Sequence, residues 1–173
     1  MLYLIHAVVG AIIGNNFSSV GIIFLLAVIL HFLLDIIPHW DGFYDKVLFH
    51  LNGEIKINKK MFIFELIDGL LSFLFVAIFY IGFKNPLIFL GAFFSLLPDI
   101  LKTTYFIKIK KKRPFLFYAK FHSKIQKEIN WKPGLLIQEI LLIILLYLFF
   151  WHSKNLLREF LFLERKESSK EKN

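Results

Sequence analysis

Apolar residues run along this chain in long blocks separated by short polar breaks. Leu2 to Gly14 is apolar except for His6 and is broken by Asn15-Asn16-Phe17-Ser18. Val20 to Ile37 is a second block, stopped by Pro38. Met61 to Phe83 is a third, reversed by Lys84-Asn85-Pro86, and Leu87 to Leu101 a fourth, with Pro98 near its end. Leu135 to Trp151 is a fifth. At a rise of about 1.5 Å per residue, blocks of this length approach the ~30 Å hydrocarbon core of a bilayer. The pattern therefore predicts an all-α integral membrane protein with about four to five transmembrane or partly spanning helices, in two hairpins plus a C-terminal helix. The first block rises only about 20 Å and predicts a partial or interfacial helix. Residues 1–152 read as a single helical membrane domain. Residues 153–173 read as a charged tail, whose Glu164–Asn173 end lacks apolar content and is expected to be disordered.

Composition sharpens this picture. The chain is 57% hydrophobic over 173 residues, above the share usual for a soluble domain. No basic stretch precedes the first block, which is expected to be a retained helix rather than a cleaved signal peptide. There is no cysteine, which excludes disulfides, thiolate nucleophiles and Cys-ligated zinc, so any metal must be held by nitrogen and oxygen.

The net charge of +8 matters through its placement. Each hairpin returns to the side it left, so the connections at 39–60 and 102–133 share a face. Both are rich in lysine, and the positive-inside rule makes that face cytoplasmic, in a multi-pass protein of the cell inner membrane. Lys108, Lys110, Lys111, Lys112 and Arg113 are expected to meet anionic lipid head groups. No nucleic acid is expected, since no aromatic stacking platform or binding motif accompanies them. A fully spanning fifth helix exports Lys154, Arg158, Arg165 and Lys166, so that helix is either re-entrant or its flanking charges are overruled.

The costly residues in such a protein are the ionisable ones inside the apolar blocks. These are His6, His31, Asp35, Glu65, Asp68, Asp99 and Glu139. With helix direction alternating, all of them fall toward the cytoplasmic side. His31 and Asp35 are i,i+4 and share a helix face, as do Glu65 and Asp68 at i,i+3. Pro38-His39-Trp40-Asp41 adds a histidine and an aspartate on a chain turned by proline. Imidazole and carboxylate ligands of this kind suit a divalent metal ion (Zn, Mn, Fe or Mg), and the surplus of acids fits either two ions or one ion with a general base.

Each residue also has a plainer reading. His6 fits a helix-start histidine at the interface, His31–Asp35 a structural pair, Glu65 a carboxylate reaching out to Lys59 and Lys60, and Asp99 a cap on the basic connection. Tyr118 to Ile129 is patterned as an amphipathic surface helix that can carry His122 over the cluster as ligand or acid. Glu139 is a candidate supporting partner, while His50 and His152 read as interface residues. The two hairpins end on Asp35-Ile36-Ile37-Pro38-His39 and Ser95-Leu96-Leu97-Pro98-Asp99, which fits an ancient duplication or a chance match between leucine-rich helices.

His31-Phe-Leu-Leu-Asp35-Ile-Ile-Pro38-His39-Trp40-Asp41, with Leu97-Pro98-Asp99 and Phe121-His122-Ser123, resembles the membrane-bound metal-dependent hydrolases, which include the LexA-binding, inner-membrane-associated group. The resemblance covers roughly residues 4 to 125. It implies a helical membrane protein with a His/Asp metal site facing the cytoplasm, and matches His6, Pro98-Asp99 and His122-Ser123 to the family pattern. That pattern sets a His-Arg pair ahead of its late histidine. This chain has Lys120-Phe121-His122-Ser123 instead, and its Asp35-x-x-Pro38-His39-x-Asp41 segment looks closer to a divergent membrane subgroup than to the named one.

These observations give one expectation and two rivals. The expectation is a metal-dependent hydrolase at the cytoplasmic face, acting on a phosphoester or lipid-linked substrate. Its metal candidates are His6, His31, Asp35, His39, Asp41, Asp68 and Asp99, with Glu65 or His122 moving the proton. The rivals are an ion or proton transporter, whose polar residues should reach both faces, and a non-catalytic scaffold whose buried pairs only fix helix packing.

Overall fold

A computed structural model describes residues 1–41, 59–107 and 113–170. The described residues form six helices: α1 (Tyr3–Asn16), α2 (Val20–Ile36), α3 (Lys59–Phe83), α4 (Leu87–Ile107), α5 (Arg113–Ile125) and α6 (Trp131–Lys170). No strand occurs among them; the one extended pairing is an isolated bridge between His39 and Glu128. His50 and the run Lys108–Lys112 lie outside the described residues.

The chain divides into two compact units, Met1–Gln138 and Glu139–Asn173. In the first, the short α1 is the central element, packed against α2, α3 and α4. Its burial is nearly complete from Ile5 to Gly14. Two sequence features allow this. Gly10 and Gly14 are four residues apart on α1, and Gly91 faces them from α4. A methyl group on Gly10 would collide with the Gly91 carbonyl, one on Gly14 with the Leu87 carbonyl, and one on Gly91 with the Gly10 carbonyl. The helices cross backbone to backbone, as small-residue helix contacts do. The Gly10-x-x-x-Gly14 spacing puts both glycines on the face of α1 that meets α4.

Both predicted hairpins are present, with breaks at residues 17–19 and 84–86. Lys84 ends α3 in the left-handed region, with φ of 56°. α4 differs from expectation in running past Pro98 to Ile107. α5 covers most of the segment predicted to be amphipathic, and α2 and α4 both pack against it.

Among the described residues, two helices are long and apolar enough to cross a membrane, Phe62–Phe83 and Trp131–Trp151. α1 and α2 are shorter apolar helices. On α3 many apolar side chains face outward, with Phe62, Leu66, Leu70, Phe73 and Ile81 all more than half exposed, while Val76 and Phe79 are buried. The second unit is the continuation of α6, which stays helical through residues 164–170.

Candidate metal centre

Four helices bring their ionisable residues to one end of the first unit. His6 stands one turn into α1, His31 and Asp35 in the last turns of α2, Asp99 late in α4, and His122 in the last turn of α5. All five are buried. His31, Asp35, Asp99 and His122 each offer one ligand atom, and these atoms lie within 4.8 Å of one another. His31 Nε2 is 2.9 Å from His122 Nε2 and 3.4 Å from Asp35 Oδ2. His122 Nε2 is 3.6 Å from Asp35 Oδ2 and 3.4 Å from Asp99 Oδ1, which is 3.9 Å from His31 Nε2. Ligands at about 2.0–2.2 Å from a tetrahedral ion are separated by about 3.3–3.6 Å, so these spacings fit a single ion at the middle.

The surroundings orient this group. His31 Nδ1 donates to the Ser95 carbonyl at 2.8 Å, which turns the Nε2 lone pair of the neutral ring toward the group. His39 does the same by another route. Its Nδ1 donates to the Ile37 carbonyl at 2.7 Å, and its Nε2 is 4.0 Å from Asp35 Oδ1. His39 lies beyond the end of α2, but its backbone is clipped to the chain that follows α5. Its amide donates to the Lys127 carbonyl, its carbonyl accepts from the Ile129 amide, and the Lys127 amide donates to the Asp35 carbonyl. The Pro38 turn is thereby held in place by residues some ninety positions later.

His6 lies flat against His31, with ring centroids 4.1 Å apart. Its Nε2 is 3.3 Å from Asp35 Oδ1 and 3.9 Å from Asp99 Oδ2. Asp41 binds two cations: the Met1 α-amino group at 2.7 Å and Lys102 Nζ at 3.4 Å. Burial pushes the Asp41 carboxyl up, but the Met1 ammonium and Lys102 outweigh it and hold the group below the usual carboxylate range. Burial, with Lys102 nearby, lowers His122 to about 3. Burial and the Met1 ammonium lower His39 as well. Both imidazoles are neutral at neutral pH, the form in which histidine binds metal.

The remaining candidates occupy distinct places. Asp68 accepts the Tyr3 amide at 2.7 Å and the Leu4 amide at 3.2 Å, so its carboxylate caps the start of α1. Glu65 is half-buried one turn before it on α3. Glu139 is exposed, and its neighbour Gln138 is the buried residue instead. Gln138 accepts the Leu2 amide at 2.8 Å and donates to the Trp40 carbonyl at 3.0 Å.

Sequence reasoning passed over Lys102, Gln126, Gln138 and the Met1 amino group. Lys102 Nζ donates to Gln126 Oε1 at 2.6 Å as well as facing Asp41. Its position three residues after Asp99 put it on the same face of α4, a signal that was available. The others are brought in by tertiary contacts with no local pattern.

Neither a protein-family model, nor a curated protein, nor a solved structure matches the chain.

Proposed function

We propose that this chain is a multi-pass membrane metalloenzyme whose His31, Asp35, Asp99 and His122 hold a divalent ion and hydrolyse a phosphoester or other lipid-linked bond at the cytoplasmic face. The observation that carries the reading is the convergence of two imidazole nitrogens and two carboxylate oxygens within 4.8 Å, all buried. Buried carboxylates are costly unless paired with positive charge, and a divalent ion supplies it. The mixed nitrogen and oxygen donors favour Zn, Mn or Fe over Mg, which prefers oxygen and water. A bound ion of this kind lowers the pKa of water to about 7 and polarises a phosphoryl or carbonyl oxygen.

The outward apolar side chains of α3 and the two spanning-length helices support a lipid setting. Lys102, half-buried and paired with Asp41, offers a positive charge to an anionic head group. With His122 committed to the ion, Glu65 is the candidate for proton transfer. The resemblance of the His31–Asp41, Pro98-Asp99 and His122-Ser123 segments to membrane-bound metal-dependent hydrolases points the same way.

The test is metal analysis of the full chain purified in detergent, followed by hydrolysis of bis(p-nitrophenyl) phosphate and of phospholipid in mixed micelles. Wild type should carry bound transition metal and hydrolyse at least one substrate class. His31→Ala and His122→Ala should lose both properties, while Glu65→Gln should keep the metal and lose turnover. A wild-type protein free of metal after reloading with Zn, Mn and Fe in turn would overturn the reading.

A further inference from the structure

The four-ligand group uses only half of the donor atoms that converge here. Each of its two carboxylates has a second oxygen: that of Asp35 faces two further histidines and that of Asp99 one of them. Asp35 faces His31 and His122 through Oδ2, and His6 and His39 through Oδ1. Asp99 faces His31 and His122 through Oδ1, and His6 through Oδ2.

His6, His39 and Asp99 are all at least nine-tenths buried. His6 Nε2, His39 Nε2 and Asp99 Oδ2 nevertheless make no hydrogen bond. Buried polar atoms are rarely left in that state, and here His6 Nε2 and His39 Nε2 both face Asp35 Oδ1, at 3.3 and 4.0 Å, while Asp99 Oδ2 faces His6 Nε2 at 3.9 Å. The nearby charge gives a direction. The Met1 α-amino group lies 3.3 Å from Asp35 Oδ1, so this side already draws a cation.

We infer that a second divalent ion binds between His6 Nε2, His39 Nε2, Asp35 Oδ1 and Asp99 Oδ2, with Asp35 and Asp99 bridging it to the ion held by His31 and His122. The inference rests on the proposed first site and adds to it. The rings of His6 and His31 stack, and their Nε2 atoms face different oxygens of Asp35, one for each ion; a carboxylate bridge holds ions about 3.5–4 Å apart, the spacing of two-metal hydrolases. His39 has its far nitrogen fixed by the Ile37 carbonyl, as His31 has by Ser95, so both sites show the same built-in orientation. A pair of divalent ions brings more positive charge than the carboxylates present offset. That surplus suits an anionic phosphoester, whose attacking and leaving oxygens a pair of ions can clamp together.

The experiment is metal counting and Mn(II) electron paramagnetic resonance on the full chain in detergent, loaded with Mn(II) and desalted. Wild type should retain about two ions per chain and give the exchange-coupled spectrum of a carboxylate-bridged pair. His6→Gln and His39→Gln, separately and together, should retain about one ion per chain and give the uncoupled signal of isolated Mn(II). Size-exclusion profiles matching wild type would establish that the variants remain folded; if they aggregate, the coupled or uncoupled spectrum of wild type decides alone. One uncoupled ion in wild type would overturn the second site and leave the first standing, with the Met1 ammonium as the resident cation there. Two ions unaffected by well-folded His6→Gln and His39→Gln would also overturn it. No bound ion at all would remove both sites.

Discussion

Asp35 and Asp68 show how differently two buried carboxylates can be held. Asp35 accepts from the Met1 ammonium through Oδ1, and its Oδ2 makes no hydrogen bond although two histidine nitrogens lie within 3.6 Å. Asp68 has both oxygens engaged by backbone amides at the start of α1. Metal binding and stability should therefore separate. Asp68→Ala should lower the stability of the folded protein by about 0.5–2 kcal/mol, the cost of a lost helix cap, and keep its metal. Asp35→Ala should lose the metal. Thermal unfolding in detergent beside metal analysis checks both, and loss of metal from Asp68→Ala would make that residue a ligand. Lys102→Met removes one of the two cations on Asp41 and should destabilise by about 1–3 kcal/mol, because the half-buried carboxylate then keeps only the Met1 amino group as a cationic partner.

At the level of the elements, the crossing of α1 and α4 positions the site. α1 carries His6 and α4 carries Asp99, and the glycines between them let the two backbones touch. Gly10→Ala inserts a methyl into the Gly91 carbonyl, and the helices must separate to admit it. The expected cost is about 1–3 kcal/mol, typical of overpacking. Because His6 and Asp99 move apart with the helices, metal affinity should fall as well. Gly69→Ala, where an added methyl meets open space, is the control and should change neither property. Unfolding temperature and a metal-binding titration of the two variants provide the comparison. α5 and the segment after it act as a strap: α5 supplies His122, and residues 127–129 pin His39 through backbone hydrogen bonds.

Across the described residues of the first unit, the buried ionisable side chains gather at one end, where α2 finishes and α1 begins. A transport pathway would need polar groups toward the opposite end as well, where the breaks at 17–19 and 84–86 lie. The proposed topology puts the site end in the cytoplasm, and the absence of native cysteine makes it directly testable. Ser18→Cys, exposed at the α1–α2 break, should react with a membrane-impermeant maleimide in intact cells. Lys124→Cys, exposed on α5, should react only after the membrane is opened. The reverse pattern would place the site on the outer face.

Helix positions were legible in the sequence because apolar blocks and their Pro, Asn and Ser breaks act over a few residues. The pairing of His31 with Asp35 was legible for the same reason, since i,i+4 spacing fixes a shared helix face. Burial of His6 and His39, the capping use of Asp68, and the recruitment of Lys102, Gln138 and the Met1 amino group depend on which helices cross, and where. That was decided by the glycine contact of α1 with α4 and by the strap following α5, interactions between residues dozens of positions apart. Local pattern identifies which residues carry chemistry. Only packing determines which of their atoms meet, and so which two sides of Asp35 and Asp99 face histidine.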